Sequence, residues 1–177
     1  YKDSDDISED RIIRGMVGRE LTNRYPARES NVGEVVFEVK DWTVYHPEDR
    51  HRKMINNVSF ETRRGEVVGF AGLMCSGRTE LAMSIFGRAW GSNIHGIVLK
   101  EGKELKMHSV KDAIASGLAY VSEDRKQYGL VLANDIKWNT TLSSLNKRFS
   151  KLNVINKNEE ILASEEYCQK LNTKCSS

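Results

Sequence analysis

Cysteine is scarce in this sequence: Cys75, Cys168 and Cys175 are the only three in 177 residues. They form an odd set without metal-ligand spacing, which suggests neither a disulfide framework nor a zinc centre and fits a reducing compartment. Long apolar runs are missing too. No stretch approaches the roughly eighteen consecutive apolar residues that a membrane helix needs, and the polar start Tyr1-Lys2-Asp3-Ser4-Asp5-Asp6 is unlike a secretory signal. A chain without its own membrane anchor is expected, in the cytoplasm. Charge of one sign is also absent, with 27 Lys and Arg against 25 Asp and Glu, so a nucleic-acid partner is not expected. There is no internal repeat and no low-complexity tract. With 39% apolar residues the chain can bury one sizeable core, and a second complete domain is not expected.

What the sequence does have is concentrated at Gly72-Leu73-Met74-Cys75-Ser76-Gly77-Arg78-Thr79, followed by Glu80. Two glycines five residues apart, then a cation and a hydroxyl, have the spacing of a phosphate loop. A polyphosphate carries dense negative charge that backbone N–H groups can coordinate if the chain wraps around it, and glycine permits the wrap. Gly77 leads into a helix-like segment with Leu81, Ala82, Ile85 and Phe86 on one face and Gly87 as its stop. A helix N-terminus favours an anion, and the Thr79 hydroxyl falls where a Mg2+ ligand is expected. Arg78 is the departure from the usual lysine. Its guanidinium keeps the charge and can fork onto phosphate oxygens, but it is bulkier than an ammonium, so binding should survive and phosphoryl transfer weaken. Cys75 lies inside this loop and reads as a small side chain there.

Around the loop the sequence predicts an α/β chain. Ile7 to Leu21 reads as a helix capped by Ser8, and Arg24 to Asn31 as a linker. Val35 to Tyr45 and Met54 to Thr62 read as strands joined by a polar insert, and His95 to Leu105 as a hairpin turning near Glu101-Gly102. These predict a small antiparallel sheet. Two apolar runs, Glu66 to Ala71 and Leu118 to Val121, read as buried core strands, with a Ser109-capped helix ending at Gly117 before the second. Ser122-Glu123-Asp124-Arg125-Lys126 follows, at the carboxyl end of a predicted strand, where open α/β sheets gather ligands; the alternative is a solvated charged turn. Leu130 to Asp135 is apolar and ends in aspartate, but follows too closely for a crossover to another parallel strand. Glu159 to Leu171 predicts one long polar-faced helix, and the spacing of Cys168 and Cys175 suggests a shared helix face.

In this order the features resemble the ATP-binding subunits of ABC importers for ribose, xylose, galactose and related sugars, which carry two fused ATPase cassettes. The likeness is to the second cassette. Its loop reads G-x-x-G-x-G-R-T-E-L, matched by Gly72 and by Gly77-Arg78-Thr79-Glu80-Leu81, with Cys75 in place of the middle glycine. Its Y-V-P-E-D-R-K-x-x-G-L is similar to Tyr120 to Lys126 with Gly129-Leu130, where Ser122 replaces proline. Met16 to Leu21 is similar to the last helix of the first cassette.

The resemblance implies a P-loop NTPase core with an N-terminal antiparallel β-subdomain, a truncated ABC ATPase cassette. Residues 1–30 would be the tail of the first cassette and a linker. Residues 31–177 would be the N-terminal part of the second: β-subdomain, phosphate loop, Glu123 loop and the start of a helical subdomain from about 130. It implies ATP and Mg2+ as cofactors, with Gly72, Leu73, Met74, Cys75, Ser76, Gly77, Arg78, Thr79 and Glu80 around the nucleotide and Thr79 and Glu123 toward the metal. An aromatic upstream of the loop would stack on adenine: Tyr45, with His46 and Trp42 as rivals. Partners would be the other cassette, transmembrane permease subunits and, indirectly, an extracytoplasmic sugar-binding protein, with the subunit peripheral on the inner face of the membrane. The signature motif, the acidic strand with its catalytic glutamate and the switch histidine do not occur before Ser177. The fragment is therefore expected to bind nucleotide weakly without turning it over. A compact P-loop kinase or NTPase, with Glu123 or Asp124 ending the metal strand, is the alternative.

Overall fold

The structure, a computed structural model, describes residues 8–17, 29, 31–152 and 154–175. It divides into two compact units, residues 1–118 and 119–177.

The first unit is built on a four-stranded antiparallel sheet in the order β2-β1-β3-β4. Its strands are β1 (Val35–Tyr45), β2 (Lys53–Arg63), β3 (Ser92–Lys100) and β4 (Lys103–Glu104). The β-branched and aromatic residues of β1 place it centrally, with Val39 opposite Phe60 on one side and Val98 on the other. The strand is not regular. Asp41 takes a left-handed φ of 52°, its N–H donating to Ser59 Oγ at 2.9 Å, and Gly96 of β3 fits the irregularity closely. A Cβ on Gly96, at φ 105°, would stand 2.6 Å from the Lys40 carbonyl oxygen. The β3–β4 turn uses Glu101 and Gly102 at φ 49° and 73°, two successive left-handed residues as a tight hairpin of matching twist requires. Both hairpins match the sequence reading.

Helices α2 (Arg78–Ile85) and α3 (Val110–Ala115) complete this unit. The core gathers Val39, Trp42 and Val44 of β1, Ile55 of β2 and Val98 of β3 with Leu81 and Ile85 of α2, Met107 and Ala113. A buried polar link ties strand to helix: the Trp42 indole N–H donates to Ser84 Oγ at 3.0 Å, and Ser84 Oγ donates to the Leu81 carbonyl at 2.8 Å. The inward residues of α2 are Leu81, Ser84 and Ile85, whereas Ala82 is exposed. An alanine loses little by facing water, so the stripe follows the larger side chains. Ser109 caps α3, accepting from the Asp112 N–H, and Gly117 follows it at φ 81°. Lys100 of β3 donates to the Ser116 carbonyl at 2.6 Å, a cation at the negative end of that helix. Of the predicted N-terminal helix, α1 (Glu9–Val17) is described, with the Arg11 N–H bonded to Ser8 Oγ. Its flanks and most of the predicted linker, like the expectations placed on residues 1–7 and 18–28, lie outside the described residues.

The two predicted core strands are corrected. Glu66–Ala71 and Leu118–Val121, read as buried core strands, form no strand among the described residues. Val67 is 76% and Val121 93% exposed, against 0% for Val44. A strand buried on both faces exists only between neighbours that take its N–H and C=O groups, and the described strands pair only among themselves. Phe70 keeps one interior contact, edge-on to Phe60 at 4.9 Å between ring centres.

The second unit is helical, with one short hairpin of β5 (Ser150–Lys151) and β6 (Val154–Ile155). A π-helical turn at Arg125–Gly129 is capped by Asp124, which accepts from the Lys126 and Gln127 N–H groups at 3.1 and 3.0 Å. Leu130–Asp135 is not a strand, as its position implied. Asp135 instead caps α4 (Ile136–Thr141), and the Asn139 side chain folds back to bond Val131, Asn134 and Asp135. After α5 (Leu145–Arg148), the long predicted helix is present as α6 (Lys157–Lys170), capped by Asn156. Cys168 lies on α6 and Cys175 beyond its end, so the two do not share a helix face. Phe149 and Ala163 are buried here beside Glu160, whose carboxylate receives the Lys137 ammonium at 3.0 Å and the Thr141 hydroxyl at 2.9 Å. Burial raises the pKa of Glu160, but these two partners more than offset it and hold the carboxyl below its usual 4.5.

Candidate functional site

The segment 72–79 is a closed turn that leads through Gly77, at a left-handed φ, into α2. The Ser76 N–H donates to the Leu73 carbonyl at 3.2 Å, and Cys75 adopts a left-handed φ of 62°. The Ser76 side chain folds over Gly72, where a Cβ would stand 2.5 Å from the hydroxyl oxygen. Gly77 takes φ 90° and begins α2, its carbonyl accepting from the Leu81 N–H at 2.8 Å. It is the buried residue of the segment: a Cβ there would lie 3.1 Å from Ile55 Cδ1 and 3.5 Å from the Met54 carbonyl. The glycine spacing therefore serves two contacts, one within the turn and one onto β2.

Everything else in the turn faces outward. Leu73, Met74, Cys75, Ser76, Arg78 and Thr79 are exposed, and Glu80 is half-buried. Gly77 gives α2 no capping side chain, and the Arg78 guanidinium stands at the positive end of the helix. This is an arrangement suited to an anion. The Trp42–Ser84–Leu81 link and the Gly77–Ile55 contact seat the helix carrying it on the sheet. Sequence reasoning missed Ser84, because a serine in a helical pattern gives no sign that it is buried.

The three aromatic candidates have different surroundings. Trp42 is buried in the core with its N–H bonded to Ser84. His46 closes the loop between β1 and β2, its Nδ1 accepting from the Glu48 and Asp49 N–H groups at 3.2 Å each, with its ring edge-on to Trp90. Tyr45 is half-buried at the end of β1 and pairs with Lys53, whose ammonium lies 5.8 Å from its ring centre. The residues after Lys53 are Met54 and Ile55, against which Gly77 packs. Tyr45 thus occupies the end of the β1–β2 hairpin that receives the turn.

Glu123 belongs to the second unit and is exposed. Its neighbour Asp124 is engaged as the cap of the Arg125–Gly129 turn, and Ser122 Oγ donates to the Asp124 carbonyl at 3.2 Å. Among the described residues no group of three or more His, Cys, Asp or Glu gathers as a metal cage. No described helix is long and apolar enough to cross a membrane.

No family model matches the chain. Among curated proteins it is 56% identical over 163 residues to the L-arabinose transport ATP-binding protein AraG of Geobacillus stearothermophilus, covering 92% of this chain and 32% of that protein. It is 47% identical over 170 residues to the xylose import ATP-binding protein XylG of Thermoanaerobacter pseudethanolicus, covering 96% and 33%. The protein of the same name from Escherichia coli K12 is 39% identical over 176 residues, covering 99% and 34%. By their names these relatives are ATP-binding proteins of L-arabinose transport and xylose import. The chain spans about a third of the length of the curated relatives it matches.

Proposed function

We propose that this homologue of sugar-importer ATP-binding subunits is the nucleotide-binding portion of a second ABC cassette, whose 72–80 segment wraps the phosphates of Mg-ATP. The observation that carries the reading is the closed turn, in which Gly77 takes φ 90° against β2 and the Ser76 side chain folds over Gly72. The relatives' printed names, ATP-binding proteins of sugar transport or import, support the same assignment.

In this reading the chain is the P-loop core of a cassette together with its antiparallel β-subdomain, residues 31–177, preceded by the end of a first cassette. Main-chain amides from Gly72 to Glu80 and the start of α2 receive the phosphates, the Arg78 guanidinium forks onto their oxygens, and Tyr45 stacks on adenine. The Thr79 hydroxyl would hold Mg2+ beside the phosphates, and Glu123, in the second unit, is proposed by itself as a metal-binding carboxylate; Mg2+ neutralises phosphate charge when bound. Arginine cannot follow a shifting phosphoryl group as a compact ammonium does, so Arg78 favours binding over transfer. In the intact subunit, ATP binding and hydrolysis would drive carbohydrate uptake. The partners are the other cassette and transmembrane permease subunits, which hold the assembly on the inner face of the membrane and act with an external sugar-binding protein.

Titration calorimetry of the chain with Mg-ATP tests this. Binding in the micromolar to millimolar range, weakened in Arg78→Ala, is expected. An absence of heat, together with an indistinguishable Arg78→Ala variant, refutes it.

A further inference from the structure

The second unit contains a cavity of about 370 Å³ between α4, the turn before α5, and α6. Its size is that of a small-ligand site. Its buried apolar lining is Phe149 and Ala163, with Leu171 exposed at the rim, and hydroxyls of Thr140, Thr141, Ser143 and Ser144 also line it. The Thr140 and Thr141 hydroxyls are already spent as donors, to the Ile136 carbonyl at 2.8 Å and to Lys137 and Glu160. The Ser143 and Ser144 hydroxyls, by contrast, have no hydrogen-bond partner among the described residues, and both residues line the cavity together with Arg148. Arg148 is exposed and makes no ion pair within 4 Å among the described residues, though its charge helps to lower the pKa of Glu166, after the larger effect of Lys170. Its guanidinium lies 5.2 Å from the ring centre of Phe149. Tyr167, partly exposed and with the Lys170 ammonium 5.7 Å from its ring centre, also lines the cavity.

These groups have one chemical sense in common. A planar fork donor and two serine hydroxyls lining one cavity suit the oxygens of a phosphate monoester. An aromatic ring and a partly apolar lining suit the less polar face of a polyol, whose hydroxyls can exchange bonds with Ser, Thr and Tyr oxygens. We propose that this cavity binds a small phosphorylated sugar or polyol, with Arg148, Ser143 and Ser144 on the phosphate and Tyr167 against the carbon skeleton. The site lies within the second unit and is independent of the nucleotide reading of residues 72–80.

The test is a titration of the whole chain with glucose 6-phosphate, with glucose and inorganic phosphate in parallel, followed by amide NMR shifts and calorimetry. The expected result is saturable binding of glucose 6-phosphate, with shifts clustered at residues 140–149 and 163–171. Both glucose and phosphate should bind at least about tenfold more weakly than the ester, because each engages one half of the cavity. Arg148→Gln should weaken the ester by about tenfold, the ratio carried by one charge-assisted contact, and Arg148→Lys by less. The paired Ser143→Ala, Ser144→Ala variant should weaken it in the same direction. Absence of saturation, shifts elsewhere only, equal binding of ester and inorganic phosphate, or unchanged affinity in both the Arg148→Gln and the serine variants would overturn the proposal. Mg-ATP binding measured on the same samples separates this outcome from failure of the nucleotide reading.

Discussion

The strand β1 and the run Glu66–Ala71 have much the same local character, apolar and rich in β-branched residues, yet one is the centre of a sheet and the other is unpaired. β1 has β2 and β3 on its two sides, and Val39 and Val44 are fully buried. Glu66–Ala71 has no strand on either side and leaves Val67 in solvent, as Leu118–Val121 does Val121. Strand propensity measures fit to a surface already formed, so an apolar run becomes a strand only where neighbouring chain accepts its backbone groups.

The sharpest way to break this comparison is at its packed side. Trp42→Ala removes the ring that joins β1 to α2 and leaves Ser84 without its donor. It should cost about 3–5 kcal/mol in chemical denaturation of the first unit. A loss below about 1 kcal/mol would mean that the buried link between sheet and helix does not hold the unit together.

Much of the first unit was legible because its signals are local. The β3–β4 hairpin follows from Glu101-Gly102, α3 from Ser109 and Gly117, and β1 from its own composition. The closed turn at 72–79 was legible from its glycines, most firmly at Gly77, whose φ of 90° disfavours residues with a Cβ. The two core strands were misread because their pairing depends on distant chain, which no local pattern reports. Ser84 and the Glu160–Lys137–Thr141 group were invisible for a related reason: polar residues are buried here through partners fixed only by the fold.

A second perturbation separates backbone strain from lack of room. Gly96→Ala, at φ 105° and against three β1 main-chain atoms, should destabilise by about 2–3 kcal/mol. Gly102→Ala, at φ 73° with nothing within 4 Å, should cost only about 1 kcal/mol. Equal losses in thermal unfolding would remove the close fit between β1 and β3 from the account.

The second unit extends the comparison to charge. Glu160 is held below 4.5 in the folded state, so its contribution is present above its unfolded pKa and is lost as pH falls through the folded value. The unit should therefore weaken below about pH 4.5, and Glu160→Gln should both lower its neutral-pH stability, by about 1–2 kcal/mol, and flatten this acid limb. Hydrogen exchange of α4 and α6 amides against pH gives the readout, and an unchanged acid limb would contradict it. The smallest effect belongs to the unpaired runs, where Val67→Ala and Val121→Ala should each change stability by less than about 0.5 kcal/mol. Larger losses in either would show that these segments are packed in solution.

The most direct test of the nucleotide assignment is a titration of the isotope-labelled chain with Mg-ATP, following backbone amides by NMR. Saturable shifts at residues 72–80 and at Tyr45, with affinity reduced about tenfold in Arg78→Ala, are the predicted result. Amides of 72–80 that stay in place while ATP is in excess, or shifts that appear equally in the Arg78→Ala chain, would contradict it.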